Sequence, residues 1–197
     1  SFILIKDVEN LEISGLGIFD GNGTQILSKY DDELKTIAQN QHTGVRLLLI
    51  YRSQNIKFNG VLLKDSVRWN THVLQSNNVS FNRCKLLNNP TESDLLGSLD
   101  GWDPDSSKNI LIENSFVWAG DDAVAVKCTG KLNDQFMVRN AENITVRGNV
   151  FLTKKSGLKI GTETFCSQMQ NIVFENNDII ESDRVMDSTG ALQLEEI

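Results

Sequence analysis

Two short acidic clusters hold the side chains that could do chemistry. Asp100 follows a leucine and precedes a glycine, and Asp121 and Asp122 follow Gly120. Asp100 and Asp122 are 22 residues apart. A protonated carboxylic acid beside an ionised carboxylate can protonate a glycosidic oxygen while a water molecule is activated. Whether the two clusters meet in space depends on the repeat period of the chain.

A recurring four-residue unit, Asn-apolar-any-apolar, reveals that period. The units begin at Asn10, Asn55, Asn78, Asn109, Asn143 and Asn171. The intervals between them are 45, 23, 31, 34 and 28 residues, and we interpret the first as about two periods. A base period of about 22 to 25 residues with alternating side chains is typical of three short strands per coil of a solenoid. The sequence therefore predicts an all-β parallel β-helix, in which the repeated Asn residues stack at left-handed turns.

Composition limits the class of protein and its partners. The chain has 197 residues and a net charge of -7, which argues against a nucleic-acid partner because phosphate binding needs a basic face. No apolar run approaches the roughly 20 residues of a membrane span. Three cysteines are present, so at least one is free or pairs outside this chain.

We expect residues 1–197 to form a single β-helix domain that is part of a longer chain and open at both ends. Residues 30–40 are the one stretch with a helical pattern.

Stacking of the third strand of each coil would bring the acids together. Residues one period apart in a solenoid lie one strand spacing apart, about 4.8 Å. Alignment of these strands places Asp100, Asp122 and Ser156 in one column, with Asp121 beside them. Carboxylates this close cannot all ionise at neutral pH, so at least one pKa is expected to be raised. A calcium site and solvated acidic turns are the alternatives to a catalytic site.

The same alignment assigns the neighbouring positions. An inward, apolar column is predicted for Trp102, Val124 and Leu158. Two outward rows are predicted, which contain Asp103 with Ala125 and Lys159, and Asp105 with Lys127 and Gly161. The third strand of the last coil is predicted at residues 192–194. Trp69 is either a sugar platform or a core residue, and Lys159 either holds an anionic group or forms a surface ion pair.

These motifs resemble those of the polygalacturonase-type glycoside hydrolases, family 28. That family consists of right-handed parallel β-helices that hydrolyse pectic polysaccharides with inversion, and it carries an Asn-Thr-Asp-Gly-x-Asp turn followed one coil later by Gly-Asp-Asp. Residues 98–103 (SLDGWD) resemble the first motif and residues 120–122 (GDD) are the second. The resemblance implies that Asp121 is the general acid, and that Asp100 and Asp122 hold and activate the water.

The chain departs from the family pattern at two motifs. The family's Gly-His-Gly is replaced by residues 155–157 (KSG), and its Arg-x-Lys is matched only by residues 184–186 (RVM). The predicted substrate-binding residues are Asp103, Lys127, Ser156, Lys159 and Arg184. The dextranase and isopullulanase family resembles this chain in fold and in its three acids, and it does not need that histidine.

The resemblance implies a glycoside hydrolase that cleaves a polysaccharide, with a pectic, galacturonan-type substrate as the first prediction. It implies an extracellular or periplasmic monomer with a polysaccharide or oligosaccharide substrate, and without a cofactor, a metal, a nucleic-acid partner or a membrane anchor. The alternatives are a dextranase-type glucanase, a calcium-dependent β-helix polysaccharide lyase, and a noncatalytic carbohydrate-binding β-helix.

Overall fold

The chain folds into three parallel sheets that wind around one axis. The structure is a computed structural model that describes residues 1–28, 45–88, 98–129 and 140–188. Each coil adds one strand to each sheet, and strands of successive coils pair in parallel. This is the right-handed parallel β-helix that the repeat and the resemblance predict. The predicted helix at residues 30–40 and the predicted strand at residues 192–194 lie outside the described residues.

The strands alternate regularly between the sheets along the chain. The first sheet contains β1 (Ile3–Lys6), β4 (Leu48–Tyr51), β7 (Thr71–Leu74), β10 (Trp102–Asp105), β13 (Val124–Cys128), β16 (Ser156–Thr164) and β19 (Arg184–Ser188). The second sheet contains β2 (Glu9–Ser14), β5 (Gln54–Asn59), β8 (Asn77–Asn82), β11 (Lys108–Glu113), β14 (Ala141–Arg147) and β17 (Met169–Glu175). The third sheet contains β3 (Ile18–Asp20), β6 (Leu62–Lys64), β9 (Lys85–Asn88), β12 (Phe116–Ala119), β15 (Val150–Thr153) and β18 (Asp178–Glu181). A short helix, α1 (Gly23–Ser28), follows β3.

The repeated asparagines form the predicted ladder on the second sheet. Asn10, Asn55 and Asn78 have φ values of 60°, 55° and 54°, which lie in the left-handed region that asparagine tolerates better than other L-residues. Asn55 Nδ2 donates to Asn10 Oδ1 at 2.9 Å, and Asn78 Nδ2 donates to Asn55 Oδ1 at 2.8 Å. From Asn109 onward the ladder continues, with Asn77 rather than Asn78 accepting from Asn109. The structural role predicted for these side chains is confirmed.

The interpretation of the 45-residue first interval as two periods is wrong. Ile3 pairs directly with Leu48 between β1 and β4, and Leu11 pairs with Ile56 between β2 and β5. The interval is therefore one coil with an insertion after β3. An insertion of this length adds nearly as many residues as an additional coil, so spacing alone does not distinguish the two.

The predicted inward column lies in the apolar core. Trp102 pairs with Val124, and Val124 pairs with Leu158. All three side chains are buried, and the Trp102 ring packs on Phe81 with ring centroids 5.6 Å apart. Burial of such side chains stabilises the fold by about 1.5–3 kcal/mol each. The core therefore fixes the register of β10, β13 and β16, and with it the positions of the acids at the start of these strands.

A disulfide connects neighbouring coils at the end of the first sheet. Cys128, at the end of β13, is bonded to Cys166, which follows β16, while Cys84 is a free thiol in the core. This agrees with the expectation that at least one cysteine is unpaired within the chain. Within the described ranges, no helix has the length and apolar character needed to cross a membrane.

Candidate active site

The two acidic clusters meet where β10 and β13 begin. The Gly101 N–H donates to the Asp122 carbonyl at 2.9 Å, so Asp100 and Asp122 occupy adjacent coils as predicted. A Cβ on Gly101 would overlap the Ala123 carbonyl oxygen and lie 2.9 Å from a methyl group of Val117. Only glycine therefore lets the two acidic turns stack at this distance.

Asp122 is held in a polar, cationic environment. Its Oδ1 accepts the Ser156 N–H at 3.0 Å, and its Oδ2 lies 2.8 Å from Lys159 Nζ. Both contacts stabilise negative charge on the carboxylate. Ser156 acts here through its backbone, because its hydroxyl is buried and has no hydrogen-bond partner among the described residues.

Asp121 has a different environment from its neighbour. Its Oδ2 accepts the Ser98 N–H at 2.8 Å. Burial raises the pKa of Asp121 above its ordinary value, and the Asp122 charge adds to the rise, while Ser98 and Lys159 oppose it. The two adjacent carboxyl groups thus have different surroundings: burial raises the pKa of Asp121, whereas Asp122 contacts an ammonium group and an N–H.

The Lys127 ammonium group contacts Asp100 and two further carboxylates. Its Nζ lies 3.6 Å from Asp100 Oδ2, 3.5 Å from Asp103 Oδ1 and 3.2 Å from Glu163 Oε2. Burial raises the pKa of Asp100 well above its ordinary value, and the Asp103 charge raises it further. Burial also raises the pKa of Asp103 to about 7, although Lys127 opposes the rise. Two carboxyls beside one ammonium group can therefore share a proton at neutral pH.

The pairing of β13 with β16 is interrupted at Lys127, which is predicted to align with Gly161. Val126 pairs with Ile160, but Cys128 pairs with Thr164, so β16 contains extra residues at this point. The resulting irregularity brings Glu163 to the Lys127 ammonium group. Simple alternation does not reveal such a bulge, because the extra residues do not interrupt the strand. In the predicted outward row, Ala125 pairs with Lys159 as expected, but Asp103 and Ala125 are both fully buried.

A buried His–Asp pair lies on the N-terminal side of the acids. His72 Nε2 is 3.0 Å from Asp105 Oδ2, and Asp105 also accepts the N–H and the hydroxyl of Thr129 at 2.9 and 2.8 Å. Burial lowers the pKa of His72, and its hydrogen bond to Asp105 opposes the shift. Burial would raise the pKa of Asp105, but the bonds from His72 and Thr129 hold it below its ordinary value.

These residues surround an open cleft of about 720 Å³ along the outer face of the first sheet. The three predicted catalytic acids line it, together with four cationic side chains, which are Arg46, Arg68, Lys127 and Lys159. Trp69 also lines the cleft but is only 6% exposed, with the guanidinium carbons of Arg46 and Arg68 lying 4.8 and 5.2 Å from its ring centroid. Sequence reasoning missed both arginines, since neither belongs to the repeat or to a motif.

The structure brings most of the predicted substrate-binding residues to this region. Lys127 and Lys159 line the cleft, and Asp103 and Ser156 are buried beside the acids. Arg184 is not among the lining residues: it lies on β19, half exposed, and its guanidinium is 2.7 Å from Asp187. Within the described part of the chain, no group of three or more His, Cys, Asp or Glu side chains is arranged to hold a metal ion.

Comparison with known sequences identifies the family. Residues 1–186 match the family model of glycosyl hydrolases family 28. The chain belongs to this family. It is 32% identical over 174 residues to an endo-polygalacturonase of Pectobacterium carotovorum subsp. carotovorum, an alignment that covers 83% of this chain. The chain spans 40% of the length of that relative.

Solved structures of the family share the fold. An exopolygalacturonase from Thermotoga maritima superposes with a TM-score of 0.66 at 22% identity, covering 94% of this chain and 48% of that protein. A family 28 exopolygalacturonase from Yersinia enterocolitica superposes with a TM-score of 0.69 at 17% identity, covering 91% of this chain and 37% of that protein. At these identities the likeness concerns the β-helix architecture.

Proposed function

We propose that the protein is a glycoside hydrolase that cleaves a galacturonan-type pectic polysaccharide by general acid and base catalysis. One observation carries the proposal. Asp121, whose pKa is raised, lies next to Asp122, which contacts an ammonium group and an N–H, and both line one open cleft. This pairing supplies a proton donor and a proton acceptor at the same place, which hydrolysis of a glycosidic bond requires.

Each acid has a distinct role in the proposed reaction. Asp121 donates its proton to the glycosidic oxygen as the bond to the sugar carbon breaks. Asp122 and Asp100 hold a water molecule, and Asp122 takes its proton as the water oxygen attacks that carbon from the opposite face. The proton count balances, because one proton leaves Asp121 and one reaches Asp122. The product then has inverted stereochemistry.

The charges of the cleft support an anionic polysaccharide as the substrate. Four cationic side chains line the cleft together with four carboxyl groups, and both lysines among them are paired with carboxylates. Arg46 Nε, in contrast, is buried without a hydrogen-bond partner among the described residues, so this side of the cleft has a donor for an anionic group of the substrate. The Pectobacterium relative, an endo-polygalacturonase by name, agrees with a galacturonan substrate. Lys159 and Lys127 remain our candidates for substrate binding, with Ser156 and Asp103 supporting the acids. Arg184 is the least favoured, because its guanidinium is paired with Asp187 outside the cleft lining.

We infer that the protein is a monomer that works outside the cytoplasm, in the periplasm or the extracellular space. The Cys128–Cys166 disulfide supports this location, since such bonds persist mainly in oxidising compartments. A polymeric substrate supports it as well, because a large polysaccharide has to be cleaved where it is found.

Release of reducing ends from a panel of polysaccharides tests the proposal. The full-length protein is incubated with polygalacturonan, pectin, dextran and pullulan, beside Asp121→Asn and the exposed control Asp7→Asn. We expect release from polygalacturonan that Asp121→Asn lowers by about 10²- to 10⁴-fold and that the control retains. Release from dextran alone would contradict the substrate, and absence of release from every polymer would contradict the activity. An unsaturated product, detected by its ultraviolet absorbance, would indicate a lyase instead.

A further inference from the structure

Three cationic groups surround the ring of Trp69 at the N-terminal end of the cleft. Arg46 precedes β4 and Arg68 precedes β7, so they belong to successive coils. Their guanidinium carbons lie 4.8 and 5.2 Å from the Trp69 centroid, and Lys127 Nζ lies 4.7 Å from it. Cations attract the face of an indole ring, but they repel one another. Burial lowers the pKa of Arg68 from its ordinary value, and the nearby Arg46 charge lowers it further.

Arg46 has a hydrogen-bond donor that no other described residue of the protein satisfies. Lys127 is engaged by three carboxylates. Arg46 Nε, in contrast, is buried and has no hydrogen-bond partner among the described residues. A guanidinium group is a planar fork that matches a carboxylate in a bidentate arrangement. A buried donor of this kind, in a cleft with a second arginine beside it, fits an anionic ligand group.

The two arginines lie two and three coils before the coil of Asp121 and Asp122. The Asn70 N–H donates to the Asp100 carbonyl at 2.9 Å, which connects the Trp69 coil to the Asp100 coil. The coil of Asp121 and Asp122 is the next one, so the arginines lie two to three strand spacings away, roughly 10 to 14 Å. A polysaccharide that follows the cleft past the acids therefore also passes the arginines, with a sugar unit that is not the one being cleaved.

We propose that Arg46 and Arg68 form a subsite that binds the carboxylate of a uronic acid unit. This unit lies along the cleft from the cleaved bond, in the direction of the N-terminal coils. The inference rests on the proposed function, which places an anionic polysaccharide in this cleft. It assigns to these two arginines the recognition of substrate charge. Trp69 then orients the arginines and is not a platform for a sugar ring, since it is only 6% exposed.

Equilibrium binding to an inactive full-length protein tests this subsite without turnover. Titration calorimetry in the Asp121→Asn background compares trigalacturonate with its methyl ester, which keeps the size of the ligand and removes its charge. We expect the acid to bind about tenfold more tightly than the ester, consistent with charge-assisted hydrogen bonds. Arg46→Gln and Arg68→Gln are each expected to reduce this preference severalfold. Arg147→Gln, at an arginine paired with Glu113 on the second sheet, is the matched control and keeps it.

Equal binding of the acid and the ester, or a preference that survives both arginine substitutions, would overturn the subsite. If a glutamine variant does not fold, Arg46→Lys and Arg68→Lys provide the second test. The charge remains but the planar fork of donors is lost, so only part of the preference is expected to remain, and its complete persistence in both lysine variants would contradict the role. Salt titration of the parent protein adds a readout, since acid binding is expected to weaken with salt while ester binding does not. Turnover of polygalacturonan without tighter binding of trigalacturonate than of its methyl ester would contradict the subsite but not the proposed hydrolysis. An intact preference without turnover would instead contradict the proposed hydrolysis.

Discussion

At the scale of the residue, the site depends on two neighbouring aspartates with different surroundings. The Asp122 carboxylate contacts Lys159 and the Ser156 N–H, whereas Asp121 is partly buried and accepts a hydrogen bond from the Ser98 N–H. Both residues lie in the turn between β12 and β13, where the backbone directs the two adjacent side chains to different partners. The two acids need no difference in residue type to take different roles.

Lys159→Gln tests this arrangement through the pH dependence of catalysis. The Lys159 charge lowers the pKa of Asp121, so its removal is expected to raise that pKa and favour the protonated acid. The alkaline limb of kcat/KM should therefore move to higher pH, while kcat falls because Asp122 loses its ammonium partner. A pH–rate profile of the full-length variant measures both effects. Lys108→Gln, at a surface lysine paired with Glu142, should leave the profile unchanged. An unmoved alkaline limb in Lys159→Gln would contradict the assignment of Asp121.

Asp103→Asn is expected to change how stability depends on pH. Burial raises the pKa of Asp103 from 3.8 to about 7, so the native state binds more protons than the unfolded state between these values. Stability is therefore lost as pH rises through this range. Removal of the group should make the variant lose less stability than the parent between about pH 4 and about pH 8. Melting temperatures across that range measure the difference, and parallel curves for the two proteins would contradict it.

At the scale of the element, the sequence predicted the stacking of the strands better than the course of the chain between them. The acids align because Asp100 and Asp122 are one uninterrupted period apart, and the apolar column of Trp102 fixes that register. The first interval is predicted to be two coils, because the number of inserted residues is close to that of a further coil. The bulge at Gly161 was missed because it continues the alternation. The meeting of Arg46 and Arg68 was not predictable, since it depends on turns from two different coils.

Gly101→Ala should separate the two acidic turns. The added Cβ would overlap the Ala123 carbonyl oxygen, and the backbone cannot yield without loosening β10 from β13. We expect a loss of about 1 to 3 kcal/mol in the free energy of unfolding together with lower activity, measured by urea denaturation and reducing-end release. Gly17→Ala is the control, since no atom lies within 4 Å of a Cβ there. Equal stability of the two variants would show that the close approach is not required.

At the scale of the whole molecule, the solenoid arranges charged side chains along the cleft in which a polysaccharide would lie. The chain is acidic overall, while the outer face of its first sheet collects four cations beside three catalytic candidates. Each coil adds one strand spacing, so a linear polysaccharide lying along the axis would meet a new set of side chains at each coil. The fold therefore suits the recognition of several sugar units at once.

The disulfide contributes to the stability of this stack. Cys128 and Cys166 are 38 residues apart, and closure of such a loop stabilises a fold by about 2 to 4 kcal/mol. The double substitution of both cysteines by alanine should therefore lower the free energy of unfolding by that amount, measured by urea denaturation. Dithiothreitol should destabilise the parent protein and leave the double variant unaffected. Equal sensitivity of the two proteins to dithiothreitol would contradict this contribution.

Proton NMR of oligogalacturonate cleavage by the full-length protein and by Asp121→Asn tests the central claim most directly. We expect the parent protein to release a product whose new reducing end first appears with the anomeric configuration opposite to that of the cleaved bond. The variant is expected to release product about 10²- to 10⁴-fold more slowly. No cleavage by the parent, or cleavage that Asp121→Asn retains, would contradict the assignment of this cleft as the site of acid-catalysed hydrolysis.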